Sequence, residues 1–468
     1  MQDKQLVLGT KPISRLIFSF GVPGIINEVI LLSYSVVDTI VIGRALSDRG
    51  LAAMAAVFPA ILLFISLAIL ISSGSSTQFA IELGRENYHT CKRIIGSTLT
   101  SIIIFSLTVT ALSWLGTKPL LWLGGANSDI YQMAADYLHI YCAGFIFMAL
   151  GFTLMSFMTA CGHPLRSVFL HGTAAFINII LDIVFVLVCD WGIVGAASAT
   201  MIAWAVSFLI GVAFFRSAQS PFIIKLTDLR LSIQHFSRSF KFGLPPFFMH
   251  LGNSITYSVT FMLVARYAES YYLTATEGLA IANIVYKSAQ TILMMPMGLI
   301  IGCSVIFGYN YGAGRHDRVL ELVKKLAFIG TLLIIPIYAL CMIFTPQINS
   351  LFGLSPDLQL IGTKLLRLNI CVIFLAVLEI VASAYLTGTG KYRSGSLVMS
   401  GRSILIILPV TVLLPRLLPN WLNISEFESL IIALPTTDVI MLLISIGLMI
   451  PQIRYLKQQA RQTHNLHS

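Results

Sequence analysis

The chain has 468 residues, of which 57% are hydrophobic and only 11% charged, with a formal net charge of +10. Soluble proteins carry about 25% charged residues, so this composition excludes a soluble enzyme, a secreted disulfide scaffold and a disordered chain. Mean hydropathy is +0.86, and long apolar runs recur from Leu16 to Ile450. Each run can cross a bilayer core of ~30 Å with about 20 helical residues.

In chain order the pattern predicts twelve spans, at 16–42, 51–81, 94–116, 135–160, 168–189, 192–215, 242–267, 278–308, 326–346, 361–388, 401–418 and 429–450. The expected fold class is an all-α polytopic membrane protein with twelve transmembrane helices. No cleavable signal is expected, because the first run is too long for one and holds Asn27, Glu28 and Asp38. An even count puts both termini on one side. Of the 30 Lys and Arg residues, 22 fall on that side, in the two tails and the loops after spans 2, 4, 6, 8 and 10. Seven fall on the other: Arg44, Arg49, Lys118, Arg266, Lys364, Arg367 and Arg416. This bias predicts cytoplasmic termini in a cell (inner) membrane. It also accounts for the net charge without a nucleic-acid partner. The seven cysteines show no CxxC and no Cys/His ligand spacing, and read as small packing residues.

The halves repeat. SFGVP (Ser19–Pro23) resembles KFGLP (Lys241–Pro245), and Arg44 matches Arg266 at the same offset of 222. ELGRE (Glu82–Glu86) matches GAGRH (Gly312–His316), and TACG (Thr159–Gly162) matches TGTG (Thr387–Gly390), so the offset stays between 222 and 230. Six spans separate the copies, so both repeats share one orientation. Parallel repeats of this kind are a transporter architecture with the substrate site at the interface of the halves. The expected domains are an N-lobe at 1–215, a cytoplasmic linker at 216–241, a C-lobe at 242–450 and a cytoplasmic tail at 451–468.

A charge at the bilayer centre costs ~3 kcal/mol or more, so an acid there is a functional candidate by default. Glu28 and Asp38 lie in span 1, Asp182 in span 5, Glu379 in span 10 and Asp438 in span 12. Asn178 precedes Asp182 by four residues and shares its helix face. Thr200 follows in the next span, inside the small-residue run GAASAT (Gly195–Thr200). Asp38 shares a face with Asn27, Leu31 and Tyr34. Asp38, Asn178, Asp182 and Thr200 together offer two carboxylates, an amide and a hydroxyl. These are hard oxygen ligands for a small cation such as Na+, and paired carboxylates also suit a proton.

Lys287, inside span 8, either pairs with an acid or lines a cavity of the second half. Pro23 shares span 1 with Asp38 and is the candidate hinge, since a proline frees a carbonyl and permits a bend. His139, His171 and His250 read as satisfied core or interface histidines. Tyr34, Tyr257 and Phe261 are candidates to line a cavity, because aromatic faces attract organic cations. The sequence contains no Walker motif, HExxH or GxSxG, so neither ATP-driven transport nor zinc proteolysis is expected, and no enzyme.

These residues resemble the multidrug and toxic compound extrusion (MATE) family. The likeness runs over nearly the whole chain: VVDTIVIGR (Val36–Arg44), the Pro-containing start of span 7, NIVYK (Asn283–Lys287), GYNYGAGRHDRV (Gly308–Val319) and ALPTTD (Ala433–Asp438). The resemblance implies two six-helix lobes around a V-shaped central cavity. It also implies export of cationic and amphipathic organic compounds in exchange for inward H+ or Na+, with no other cofactor. By motif it makes Asp38, Asn178, Asp182 and Thr200 the N-lobe cation site. The substrate cavity would draw on Asn27, Glu28, Tyr34, Tyr257, Lys287, Glu379 and Asp438. Some members carry an acid in span 7, but here none stands between Lys241 and Arg266. A C-lobe cation site would therefore rest on Glu379 or Asp438. The implied partners are a small-molecule substrate and the lipid bilayer, and the implied state is a monomer. The alternative is a flippase for lipid-linked precursors from the same wider superfamily, in which Lys287 would meet a phosphate headgroup; a channel is a third class.

Overall fold

A segment inside a bilayer must satisfy its backbone N–H and C=O groups internally, and this chain does so with helices. The computed structural model describes residues 8–123, 128–351 and 356–467, and among them there is no strand. Five long helices come first, α1 (Ile13–Gly84), α2 (Tyr88–Leu115), α3 (Ser128–Ala160), α4 (Pro164–Asp182) and α5 (Gly192–Arg216), with the short helix Thr117–Leu123 between α2 and α3. Then follow α6 (Ile233–Tyr267), α7 (Ala275–Gly302), α8 (Ser304–Gly312) and α9 (His316–Ile343). The last are α10 (Pro356–Ile370), α11 (Ala376–Gly388), α12 (Tyr392–Ser400), α13 (Ile407–Leu422) and α14 (Ala433–His467). Two π-helical turns interrupt the series, Ile183–Val188 after α4 and Gly401–Leu405 after α12.

Among the described residues, eleven helical stretches are long and apolar enough to cross a membrane. The expected span 7 is not one of them. It lies in α6, a 35-residue helix diluted by Arg238, Lys241, Asn253, Ser254 and Ser258. One further expectation on boundaries is corrected. The break between spans 1 and 2 is absent, because α1 runs unbroken for 72 residues. Its middle is built from good helix formers such as Ala45, Leu46, Ala52, Ala53 and Met54, and no proline stands between Pro23 and Pro59. Straight, it would be roughly 110 Å long. Only its parts Ile13–Leu31 and Ala56–Gly84 carry the hydropathy of a span. The connection at 216–241 is helical from Ile233 onward. The tail at 451–468 continues α14 as far as His467, as its Gln-, Lys- and Arg-rich sequence favours.

The chain divides into two compact units, the first comprising 1–247, 302–315 and 388–390, and the second 248–301, 316–387 and 391–468. In the first, α3 packs on α1, α2 and α5, while α4 packs on α1 and α5. Its core holds fully buried Phe64, Phe79, Phe145 and Phe157, with ring centroids 5.0 Å apart for Phe64–Phe145 and 5.5 Å for Phe79–Phe157. The repeat motifs meet here by close backbone approach. A Cβ on Gly84 would collide with the Tyr309 carbonyl oxygen, and one on Gly312 with that of Ile81. Thus ELGRE and GAGRH need glycine because α1 and α8 touch backbone to backbone. In the second unit, α14 packs against α9, α10 and α13, and Tyr385 and Phe427 are fully buried.

Candidate ion site

α4 is amphipathic within the membrane sense: it turns His171, Ala174, Ala175, Asn178 and Asp182 inward and exposes Leu165, Phe169 and Phe176. Asp182 is the last residue of α4, directly before the π turn Ile183–Val188. Such turns widen a helix locally and recur at functional sites. Asp182 is 0% exposed, Asn178 2% and Thr200 7%. The Asn178 amide Nδ2 donates to Thr200 Oγ1 at 3.2 Å, and Thr200 Oγ1 donates to the Ala196 carbonyl at 3.1 Å. Across from α4, α1 brings half-buried Asp38 within electrostatic range of Asp182. All four proposed residues are therefore in the first unit, on α1, α4 and α5.

Their oxygens are under-used. Asp38 Oδ1, Asn178 Oδ1 and both carboxylate oxygens of Asp182 are buried without a completed hydrogen bond. Leaving a buried polar atom unpaired costs ~1–3 kcal/mol, more for a charge. No lysine or arginine among the described residues forms an ion pair with Asp38 or Asp182. Four such acceptors in one place fit a cation or protons.

The second unit treats its acids differently. Arg402, in the π turn Gly401–Leu405, places Nε 3.0 Å from Asp438 Oδ1 and 3.4 Å from Glu379 Oε2. Glu379 and Asp438 are 3% and 1% exposed. Their charge is thus met from within the protein. Sequence reasoning missed Arg402: the basic-residue tally placed it with the loop before span 11. The signal was available, since two intramembrane acids in spans 10 and 12 require a counter-charge and Arg402 opens the span between them.

The remaining candidates scatter. Asn27 on α1 is half-buried and its Oδ1 meets His171 Nδ1. Glu28 is half-buried and forms no ion pair with a described residue. The side chain of Tyr34 lies outside the described residues. Tyr257 is half-buried with its ring edge-on to Tyr286 at 6.2 Å, within electrostatic range of Arg402. Lys287 is exposed. Pro23 is buried inside α1, one turn before Asn27. The expectation for His171 needs correcting: only one of its ring nitrogens is satisfied, and Nε2 is buried without a partner.

The model of the MatE family matches the chain twice, over residues 23–184 and 250–413. The chain belongs to the MatE family. The double match, one copy per half, agrees with the repeat read from SFGVP and KFGLP. This MATE chain is a multi-pass membrane transporter and not an enzyme. It is 23% identical over 423 residues to the multidrug export protein MepA of Staphylococcus aureus (strain MSSA476), covering 89% of this chain and 91% of that one. It is 26% identical over 362 residues to the probable multidrug resistance protein YoeA of Bacillus subtilis (strain 168), covering 75% and 76%. Its fold matches the outward-facing conformation of a multidrug resistance MATE family transporter of the MOP superfamily. That match has a TM-score of 0.89 and 18% identity, over 98% of this chain and 100% of that one.

Proposed function

We propose that this MATE chain is a secondary efflux antiporter that exports organic cations and amphipathic drugs in exchange for inward H+ or Na+. The observation that carries it is the cluster of unpaired buried oxygens on Asp38, Asn178 and Asp182. A transporter that merely tolerated acids in its core would pair them, as Arg402 pairs Glu379 and Asp438. Acids kept open in a low-dielectric interior are suited to take and release an ion. The substrate class is supported by the names of MepA, a multidrug export protein, and YoeA, a probable multidrug resistance protein.

In this reading the ion arrives from outside and binds among Asp38, Asn178, Asp182 and Thr200. Its charge cancels the repulsion between the two carboxylates and lets α1 repack about Pro23, which favours release of substrate outward. Ion release to the cytoplasm resets the site. Each monovalent charge moving down 100 mV supplies ~2.3 kcal/mol to this cycle. The protein works as a monomer in the cell membrane, with both termini cytoplasmic.

The test is ethidium efflux from proteoliposomes under imposed H+ and Na+ gradients, separately. The parent responds to at least one gradient, and Asp38→Asn responds to neither. An Asp38→Asn protein that exports ethidium as well as the parent refutes the coupling site.

A further inference from the structure

The two repeat motifs meet in a reciprocal contact whose charges do not match. Gly84 of α1 lies against the Tyr309 carbonyl, and Gly312 of α8 against that of Ile81. Gly312 and Tyr309 follow Gly84 and Ile81 by the same 228 positions. The turns that leave the two helices repeat as well. Arg85 N donates to the Ile81 carbonyl and Asn87 N to that of Glu82, while Ala313 N donates to Tyr309 and Arg315 N to Asn310. Glu82 therefore corresponds to Asn310, and Asn87 to Arg315.

That exchange changes what surrounds each arginine. Glu82 is buried, and its carboxylate is well supplied. Arg85 Nη1 stands 2.9 Å from Oε1, Arg238 Nη1 stands 3.8 Å from the same oxygen, and Asn87 Nδ2 donates to Oε2 at 3.3 Å. Asn310 is buried and neutral, and its Nδ2 donates to the carbonyls of Leu8 and Ile306. No acid among the described residues pairs with Arg315. Its Nη1 donates to the Gly9 carbonyl, which carries no charge. Arg315 is half-buried, so its guanidinium is partly withdrawn from water without a carboxylate to meet it.

Between the two turns lies a cavity of about 380 Å³, walled by Gly84, Arg85, Glu86, Tyr309, Gly312 and Arg315. The apolar stretches Ala56–Gly84 and Glu277–Gly312 both end here, which puts the cavity at the edge of the hydrocarbon core, at headgroup level. With Glu82 and Arg238 behind the wall, three arginines meet two acids, a surplus of one positive charge. A guanidinium has five N–H donors in a planar fork that matches phosphate oxygens. Arg85 and Arg315 each commit only Nη1 to the contacts above.

We propose that this cavity binds a phosphate group between Arg85 and Arg315, on the face that the basic-residue bias predicts to be cytoplasmic. The site is separate from the ion site and stands whether or not the antiport reading does. The bound group ties α1 to α8 where the glycines already bring them together. A phospholipid headgroup and a soluble phosphate ester share this chemistry. Glu86 forms no ion pair with either arginine, and its charge opposes the ligand.

The experiment is the thermal midpoint of the purified full chain in detergent. It is titrated with inorganic phosphate against chloride at equal ionic strength, and separately with dioleoylphosphatidylglycerol against dioleoylphosphatidylcholine. At least one of the two anions raises the midpoint beyond its control. A response to phosphate admits soluble esters, and a response to the anionic lipid alone restricts the ligand to a headgroup. Arg85→Gln and Arg315→Gln each weaken binding by about tenfold or more, as loss of a hydrogen bond to a charge would. Glu86→Gln tightens it, which decides the matter if an arginine variant does not fold. Arg238→Gln takes a partner from Glu82 but nothing from the wall, so it binds the anion as the parent does. A parent that responds to neither anion overturns the proposal. So does binding that Arg315→Gln leaves unchanged, or that Arg238→Gln weakens as much as Arg315→Gln.

Discussion

Asp182 in the first unit and Asp438 in the second are equally buried, at 0% and 1% exposure, yet they are held in opposite ways. Asp438 sits against the Arg402 guanidinium at 3.0 Å, with Glu379 on the same arginine. No lysine or arginine among the described residues pairs with Asp182, whose polar neighbours are the Asn178 amide and the Asp38 carboxylate. Both arrangements adjoin a π turn, at Ile183–Val188 and Gly401–Leu405. The two turns are not repeat copies, since the offset of 222 to 230 would set Ile183 at 405–413. The offset of 222 that aligns SFGVP with KFGLP sets buried Thr260 where Asp38 would fall. One half leaves its acids without a cationic partner among the described residues, and the other carries its counter-ion built in.

The comparison breaks most visibly at Arg402. Removing one partner of a buried ion pair costs ~3–5 kcal/mol, because the other charge is stranded. Arg402→Met strands two carboxylates, so the thermal midpoint in detergent should fall sharply and folded yield with it. The triple variant Arg402→Met/Glu379→Gln/Asp438→Asn, which removes all the charge together, should recover most of that loss. A single variant as stable as the parent would show that Arg402 does not neutralise the pair.

The opposite sign is expected at Asp182. Asp182→Asn exchanges an unpaired buried carboxylate for a neutral amide, which relieves desolvation and the repulsion from Asp38. Its thermal midpoint should equal or exceed that of the parent while ion-driven ethidium efflux is lost. Coupled loss of both stability and transport would place Asp182 with Asp438 as a structural acid. Stability kept and transport lost separates the two units as proposed.

Much of this was legible in the chain itself. Hydropathy and repeat spacing reveal the helices and the doubled architecture, because bilayer thickness imposes run length and backbone contact imposes the glycines at Gly84 and Gly312. The residues proposed for the ion site stand out in the chain as expensive acids with an amide one turn away. The Arg402 contact does not, since a basic residue at a span edge looks the same whether it faces water or two carboxylates on other helices. Nor does the cavity between Arg85 and Arg315, which exists only once α1 and α8 are packed. The unbroken α1 was missed for another reason. Arg44, Asp48 and Arg49 lower the hydropathy between its apolar parts, but polarity alone does not stop a helix that lacks proline or a cap.

The smallest effect belongs to an acid outside the spans, and it calibrates the buried ones. Asp228, in the 216–241 connection, accepts the Lys225 backbone N–H at 2.9 Å and sits 3.1 Å from Lys92 Nζ. The Lys225 N–H first, then the lysine charge, holds its carboxyl below the usual carboxylate range. A carboxyl lowered by folding adds stability that is complete above about pH 4 and lost as pH falls through the folded value. The Lys92 side chain is 40% exposed, so screening limits the pair to ~0.2–1 kcal/mol. Lys92→Gln should therefore lower the thermal midpoint slightly near pH 7 and by less at pH 3, where the Asp228 carboxyl begins to protonate. The same small decrement at both values would mean that Lys92 acts through packing, not charge. Set beside Arg402→Met, this difference measures what the bilayer interior adds to the same chemical pairing.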